Sequence, residues 1–335
     1  MVSSGSCVVL GAAGTVTPRQ PLYWAVIYGS HGRDDMTATS DWKPLYPFEP
    51  HALTIDGLRY HYVDEGCGEP LLLVHGNPTW SFYWRELIGA LRDRYRLIAP
   101  DHMGCGLSDK PADYSYCLAT HTANLRRLIS ALDLRDITLV AHDWGGAIGL
   151  AAAVAEPDRF ARLVLLNTAA FRATRIPLRI RLCRTPLLGK IAVQGFNAFA
   201  RAALWMAVAD RGRLSPAAQA GLLAPYDSWA HRTAVYRFVV DIPLSSGHPS
   251  YATLEELEAG LPRLAHLPVQ LIWGMRDWCF TPWFLERFLD FFPAAEVHRL
   301  ADVGHYVVEE AQERVVPLVE RFLSAHPLPI APAKV

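Results

Sequence analysis

Four short stretches of this chain hold side chains capable of chemistry, and each sits where an apolar run stops. In ITLVAHDWGGAIG (residues 137–149) Asp143 lies at the corner between a β-branched run and a Gly-rich helical pattern. Ala141 stands two residues before it and Gly145 two after, the small-x-Asp-x-Gly spacing of a nucleophile elbow with Asp in place of Ser. Small flanks let so sharp a turn close without a Cβ collision, and the central side chain then projects free at a helix N-terminus. The competing reading is a buried Asp that caps the 145–155 helix. His75-Gly76-Asn77-Pro78 follows a second apolar run, and its glycine lets the backbone turn so that the Asn77 amide faces the elbow. With the Trp144 amide it would form an oxyanion hole. Gly274-Met275-Arg276-Asp277 places a carboxylate after a third run. Asp302-Val303-Gly304-His305 places an imidazole after a fourth, just before a helix. His75 and His142 read as core histidines.

An Asp nucleophile restricts the reaction. Attack on an ester or amide would give a labile anhydride, whereas attack on saturated carbon gives a stable alkyl ester that needs a second step. In that scheme His305 activates water, Asp277 orients and stabilises the imidazolium, and the two amides hold the oxyanion. A leaving halide also needs donors without a competing base, and the Trp144 indole N–H and the Asn77 side-chain amide suit it. Such a donor is worth on the order of 3 kcal/mol in the transition state. An epoxide hydrolase shares the Asp but needs cap tyrosines, for which Tyr226, Tyr236 and Tyr251 are available; Asn77 and Trp144 would then lack a purpose. A non-enzymatic scaffold is expected to have lost part of the Asp143, Asp277, His305 set, and all three are present.

Positioning these four stretches requires strand ends that converge. Residues 52–55 and 58–64 read as a hairpin around Asp56-Gly57. Apolar runs at 71–75, 96–100, 137–142, 163–166 and 269–273 read as strands buried on both faces, with 296–300 the last strand. Helical patterns fall at 81–93, 120–132, 145–155, 283–292 and 309–323. This alternation predicts a mostly parallel twisted sheet with helices on both faces, and nucleophile, acid and base fall in α/β-hydrolase order. Between 169 and 262 the alternation stops, and apolar helical spacing is broken by Pro177, Pro186, Pro216, Pro225, Pro243 and Pro249. The expected organisation is therefore an N-terminal extension (1–40), a core in two parts (41–168 and 263–325), an inserted helical cap (169–262) and a tail (326–335).

Composition narrows the classes further. The 335 residues are 51% hydrophobic, and 32 basic against 33 acidic residues leave a formal charge of -1. No whole-protein field argues for nucleic acid. Six cysteines (Cys7, Cys67, Cys105, Cys117, Cys183, Cys279) lack CxxC spacing, which fits free thiols in the cytoplasm better than disulfides or a metal site. No apolar run reaches the ~18 residues of a membrane span. CVVLGAAG lacks a basic flank and makes a poor signal peptide, so the extension reads as poorly ordered, with Met36 a candidate start. In the cap, Arg172, Arg175, Arg179, Arg181, Arg184 and Lys190 interleave with Ile176, Leu178, Ile180, Leu182 and Leu187 without an acid. A partner protein or membrane surface could use this stretch; the simpler reading is a solvated basic face over an apolar underside. Trp205 and Trp229 read as core, with the substrate site as the alternative.

The motifs HGNPTWSFYWR, DHMGCGLSDKP, VAHDWGGAIG, WGMRDW and ADVGHYVVEE resemble the haloalkane dehalogenase family of α/β-hydrolases, across nearly all of residues 46–323. The resemblance implies displacement of halide through an alkyl ester on Asp143, with His305 and Asp277 completing the triad, Asn77 and Trp144 as halide pair, and no cofactor or metal. Parts of that family carry a Glu acid after the strand preceding the cap. Here that place reads Leu166-Asn167-Thr168, so the acid role falls to Asp277. NTAAF, GFNAFARAA and APYDSWAHRTAVYRFVVDIPL are at least as similar to the β-lactone decarboxylases of long-chain olefin biosynthesis, which would use the same Asp on a lactone carbon. Either way the implied partner is a small hydrophobic substrate, with a homo-oligomer or an enzyme assembly both compatible.

Overall fold

The computed structural model describes residues 41–173 and 176–328. The 1–40 extension with Cys7 and Met36, Arg175 of the basic stretch and residues 329–335 of the tail lie outside the described residues.

Eight strands form one sheet: β1 (Pro50–Ile55), β2 (Leu58–Glu65), β3 (Pro70–Val74), β4 (Arg96–Pro100), β5 (Ile137–Asp143), β6 (Phe160–Thr168), β7 (Val269–Gly274) and β8 (Glu296–Leu300). Their order is β1-β2-β4-β3-β5-β6-β7-β8, antiparallel through β1, β2 and β4 and parallel thereafter. The Asp56-Gly57 turn does close the β1–β2 hairpin, with Ile55 opposite Leu58. All seven residues of β5 are buried, which requires cover on both faces of the sheet. That cover comes from α1 (Arg85–Leu91), α2 (Leu118–Ala131), α3 (Trp144–Ala155) and, after the cap, from helices at Pro282–Phe291 and Val307–Ala325. The helix expected over 81–93 begins as a 3₁₀ turn, Ser81–Trp84, before α1. Strand β6 runs longer than expected at both ends.

The loop after β4 owes its shape to one buried carboxylate. Asp101 accepts from the Ser81 and Leu107 amides at 2.7 and 2.8 Å and pairs with His61 Nδ1 at 2.8 Å. Burial pulls the Asp101 pKa up, but the contacts with His61 and the Leu107 amide, with His75 nearby, hold it below the usual carboxylate range.

Between β6 and β7 the described residues hold only helices and turns, including α4 (Leu178–Cys183), α5 (Ala198–Met206), α6 (Pro216–Leu223), α7 (Thr233–Val240) and α8 (Tyr251–Gly260). Local chemistry sets their ends. Pro177 precedes α4, and Pro216 opens α6 while Ser215 Oγ accepts from the Ala218 amide as N-cap. Two expectations fail here. Trp205 and Trp229 are 61% and 47% exposed, so neither is core, and neither lines the substrate cavity. Arg211 stacks on the Trp205 ring at 3.6 Å and Lys190 lies 5.9 Å from Trp229, so each indole packs beneath a cation and not within the protein. The apolar underside expected of the basic stretch is only partial: Ile180 is buried, but Leu178, Leu182, Leu187 and Leu188 are all more than half exposed.

Candidate active site

The elbow is sharp. Asp143 ends β5 and precedes α3 with φ 53° and ψ −129°, a left-handed conformation costing a non-Gly residue about 1–3 kcal/mol. The β5–β6 register breaks at the same step. Space explains the small flanks. A Cβ on Gly145 would lie 2.0 Å from the Val74 carbonyl oxygen, and one on Gly76 would lie 2.1 Å from Asp143 Oδ1. The capping alternative fails, because the Asp143 side chain makes no cap hydrogen bond to α3. Instead Oδ1 accepts from the Asn77 amide at 2.7 Å. The Trp144 amide makes no such bond to Asp143 among the described residues; as the first helical N–H it is left for an incoming oxygen.

The loops after β7 and β8 bring the other two groups alongside. His305 Nδ1 bonds Asp277 Oδ2 at 2.8 Å, and His305 Nε2 lies 3.6 Å from Asp143 Oδ2. Asp277 is buried, and its oxygens are fully engaged: Oδ1 accepts from the Cys279 amide at 2.6 Å and Oδ2 from Asn167 Nδ2 at 2.9 Å. Burial would raise the Asp277 pKa, but the facing imidazolium and these donors carry it below the ordinary value. Burial likewise would lower His305, yet Asp277 and Asp143 raise it from 6.5 to about 10. Two carboxylates flanking the imidazole in the resting site thus favour its protonated form.

Asn167 went unrecognised as a site residue in the sequence. It has φ 28° at the end of β6, bonds the Gly274 amide and carbonyl, and fixes Asp277. Its signal was its place, where other members of the resembled family carry their acid. Glu310 was also missed: it accepts from the Gly304, Ala209 and Asp210 amides at 2.6–2.8 Å, tying the His305 loop to the cap. Of the two core histidines, His75 has both ring nitrogens bonded, to the Gly76 carbonyl and the His102 amide. His142 donates to the His305 carbonyl at 2.8 Å and so supports the imidazole from behind.

Asp143 and His305 face a cavity of about 330 Å³ between core and cap. Its walls are apolar, with Ile180, Phe199, Met206, Val239, Leu254 and Phe284 among them, and among the described residues Arg179 is the one further charged group that lines it. Asn77 and Trp144 both line the cavity. The Trp144 indole N–H has no hydrogen-bond partner among the described residues, whereas Asn77 Nδ2 donates to the Val235 carbonyl of α7 at 3.2 Å. Tyr226, Tyr236 and Tyr251 do not line the cavity, and the Tyr226 hydroxyl donates to the Thr79 carbonyl. The tyrosines an epoxide hydrolase would need are therefore misplaced. Among the described residues no group of His, Cys, Asp and Glu could hold a metal ion, and no helix is long and apolar enough to cross a membrane.

A doubly wound sheet with a strained acidic elbow, an acid-braced imidazole and a helical cap defines an α/β-hydrolase architecture. The family model described as the alpha/beta hydrolase fold matches residues 69–312, and the chain belongs to that family. Within it, the chain is 43% identical to a cis-3-alkyl-4-alkyloxetan-2-one decarboxylase of Shewanella oneidensis, over 84% of this chain and 90% of that protein. It is 34% identical to haloalkane dehalogenase 2 of Mycobacterium tuberculosis, over 83% of this chain and 96% of the relative. Among solved structures, the haloalkane dehalogenase DatA of Agrobacterium tumefaciens C58 superposes with a TM-score of 0.75 at 28% identity, covering 83% of this chain and 97% of that one.

Proposed function

We propose that this protein is an intracellular decarboxylase of cis-3,4-dialkyl β-lactones, with Asp143 as nucleophile. The observation that carries the reading is a carboxylate anchored by the Asn77 amide and facing the His305 imidazole in an apolar cavity of about 330 Å³. The relative at 43% identity carries that activity in its name, and this reading replaces halide displacement as the primary one.

The reaction needs no water. Asp143 Oδ2 attacks the ring carbon bearing oxygen, that carbon–oxygen bond breaks, and its electron pair leaves on a carboxylate. The bond from the neighbouring carbon to this carboxylate then breaks. Its pair forms the alkene while the new bond to Asp143 breaks, releasing carbon dioxide and restoring the aspartate. Inversion followed by anti elimination keeps the two alkyl chains cis. His305, protonated against Asp277, stabilises the ring-opened carboxylate; the Asn77 amide holds the other Asp143 oxygen, and the Trp144 amide stands open as a second donor.

Halide displacement remains the second reading, and the unpartnered Trp144 indole favours it. In that case alkylation removes the Asp143 charge, which lowers the His305 pKa and frees it to activate water for ester hydrolysis. One preparation should be offered a cis-3,4-dialkyl oxetanone and a bromoalkane of matched chain length. Alkene at the higher kcat/KM supports the proposal, and bromide release at the higher value establishes the dehalogenase. In the second case Trp144→Phe should cut halide release about a hundredfold.

A further inference from the structure

The cap carries an outer surface that the proposed reaction does not use. In α5, Ala198, Phe199, Ala202, Ala203 and Met206 line the cavity, while Arg201 and Trp205, four residues apart, face outward. In α4, Arg179, Ile180 and Cys183 line the cavity, while Leu178 and Leu182 are 68% and 59% exposed. The segment between these helices, itself helical over Leu188–Lys190 and Ile191–Gly195, adds Leu187, Leu188 and Phe196, each at least 70% exposed. Both helices line the cavity on one side and on the other expose large apolar side chains interleaved with cations, an open surface of the kind found at interaction sites.

Charge identifies the occupant. Residues 159–209 contain no Asp or Glu. Arg181, Lys190 and Arg201 are exposed and form no ion pair among the described residues. Two copies meeting through this face would set like charges against each other. Leucines and a Trp at the level of unneutralised Arg and Lys are instead the composition of an interfacial segment, whose apolar side chains enter the acyl boundary while the cations meet anionic headgroups. Arg179 is both exposed and part of the cavity wall, so the cavity reaches the surface at this face.

We propose that the outer face of α4, the 187–196 segment and α5 docks this protein onto an anionic lipid bilayer. Entry of an apolar substrate from that bilayer rests on the reaction proposed above; docking does not.

Flotation of the full chain with phosphatidylcholine vesicles, with and without phosphatidylglycerol, tests the docking. Binding is expected to the phosphatidylglycerol vesicles and to weaken with added salt. Arg181→Gln and Lys190→Gln should each weaken it roughly fivefold. Leu182→Glu/Leu188→Glu changes only exposed positions outside the cavity and should abolish binding while turnover of substrate in detergent stays unchanged. No binding to anionic vesicles, or full binding by the double variant, overturns the proposal. Loss in the double variant of a dimer or of a protein complex, with no vesicle binding by the parent, assigns the face to a protein partner and overturns it too.

Discussion

Replacing Asp277 by Asn keeps the shape of the side chain and removes the charge that does most to hold the proton on His305. The amide cannot satisfy its surroundings. One of its ends must carry hydrogens, and Asp277 now accepts from the Cys279 amide at one oxygen and from Asn167 and His305 at the other. Turned toward His305, the new NH₂ group makes Nδ1 an acceptor and moves the neutral-ring hydrogen to Nε2, the reverse of the wild-type arrangement. With the carboxylate gone, the His305 pKa should fall from about 10 by roughly one to three pH units, since burial is then opposed by Asp143 alone. That corresponds to about 1.4–4 kcal/mol of lost stabilisation of the imidazolium. The sign for folding follows: a raised histidine stabilises fully below its unfolded value of 6.5, and that contribution is lost as pH climbs through about 10. Urea midpoints of wild type and variant should therefore differ most at and below pH ~6.5 and converge toward pH ~10. Nitrogen-resolved NMR titration of the imidazole is the direct assay. Equal His305 midpoints in the two proteins would refute the reasoning.

Gly76→Ala should leave circular dichroism unchanged and lower kcat/KM about a hundredfold or more, because its Cβ falls 2.1 Å from Asp143 Oδ1 and must displace the carboxylate. Glu309→Gln removes the bidentate anion of the buried Arg85 guanidinium, contacts at 2.5 and 2.8 Å, leaving only Glu86 at 3.4 Å, and should cost about 3 kcal/mol in urea unfolding. Asn167→Leu removes the side chain that pins Asp277, so kcat should drop while KM changes little; the reverse split would mean that Asn167 contacts substrate.

The core was legible because its signals are local. Short apolar runs at β3 and β4, Asp56-Gly57 at the hairpin and the small flanks of Asp143 each report a steric need that the fold meets where expected. Asn167 was not legible because its role exists only once the ends of β6 and β7 lie side by side. The cap misled for a related reason. Helical spacing pointed to a helical cap without bounding its helices, and Leu182, Leu188, Trp205 and Trp229 look alike in sequence whether they face the core, the cavity or the outside. Residues such as Ile180 and Leu182, two apart in one short helix, end on opposite sides of it.

The decisive measurement is multiple turnover of a cis-3,4-dialkyl oxetanone in heavy-oxygen water, followed by mass spectrometry of the products and of the peptide containing Asp143. Displacement at the ring carbon followed by decarboxylation gives cis-alkene and an Asp143 peptide without label. A labelled Asp143 with a β-hydroxy acid as product means that water resolves the ester, and an unlabelled peptide with label only in a β-hydroxy acid means that Asp143 never forms one; either result contradicts the proposed chemistry.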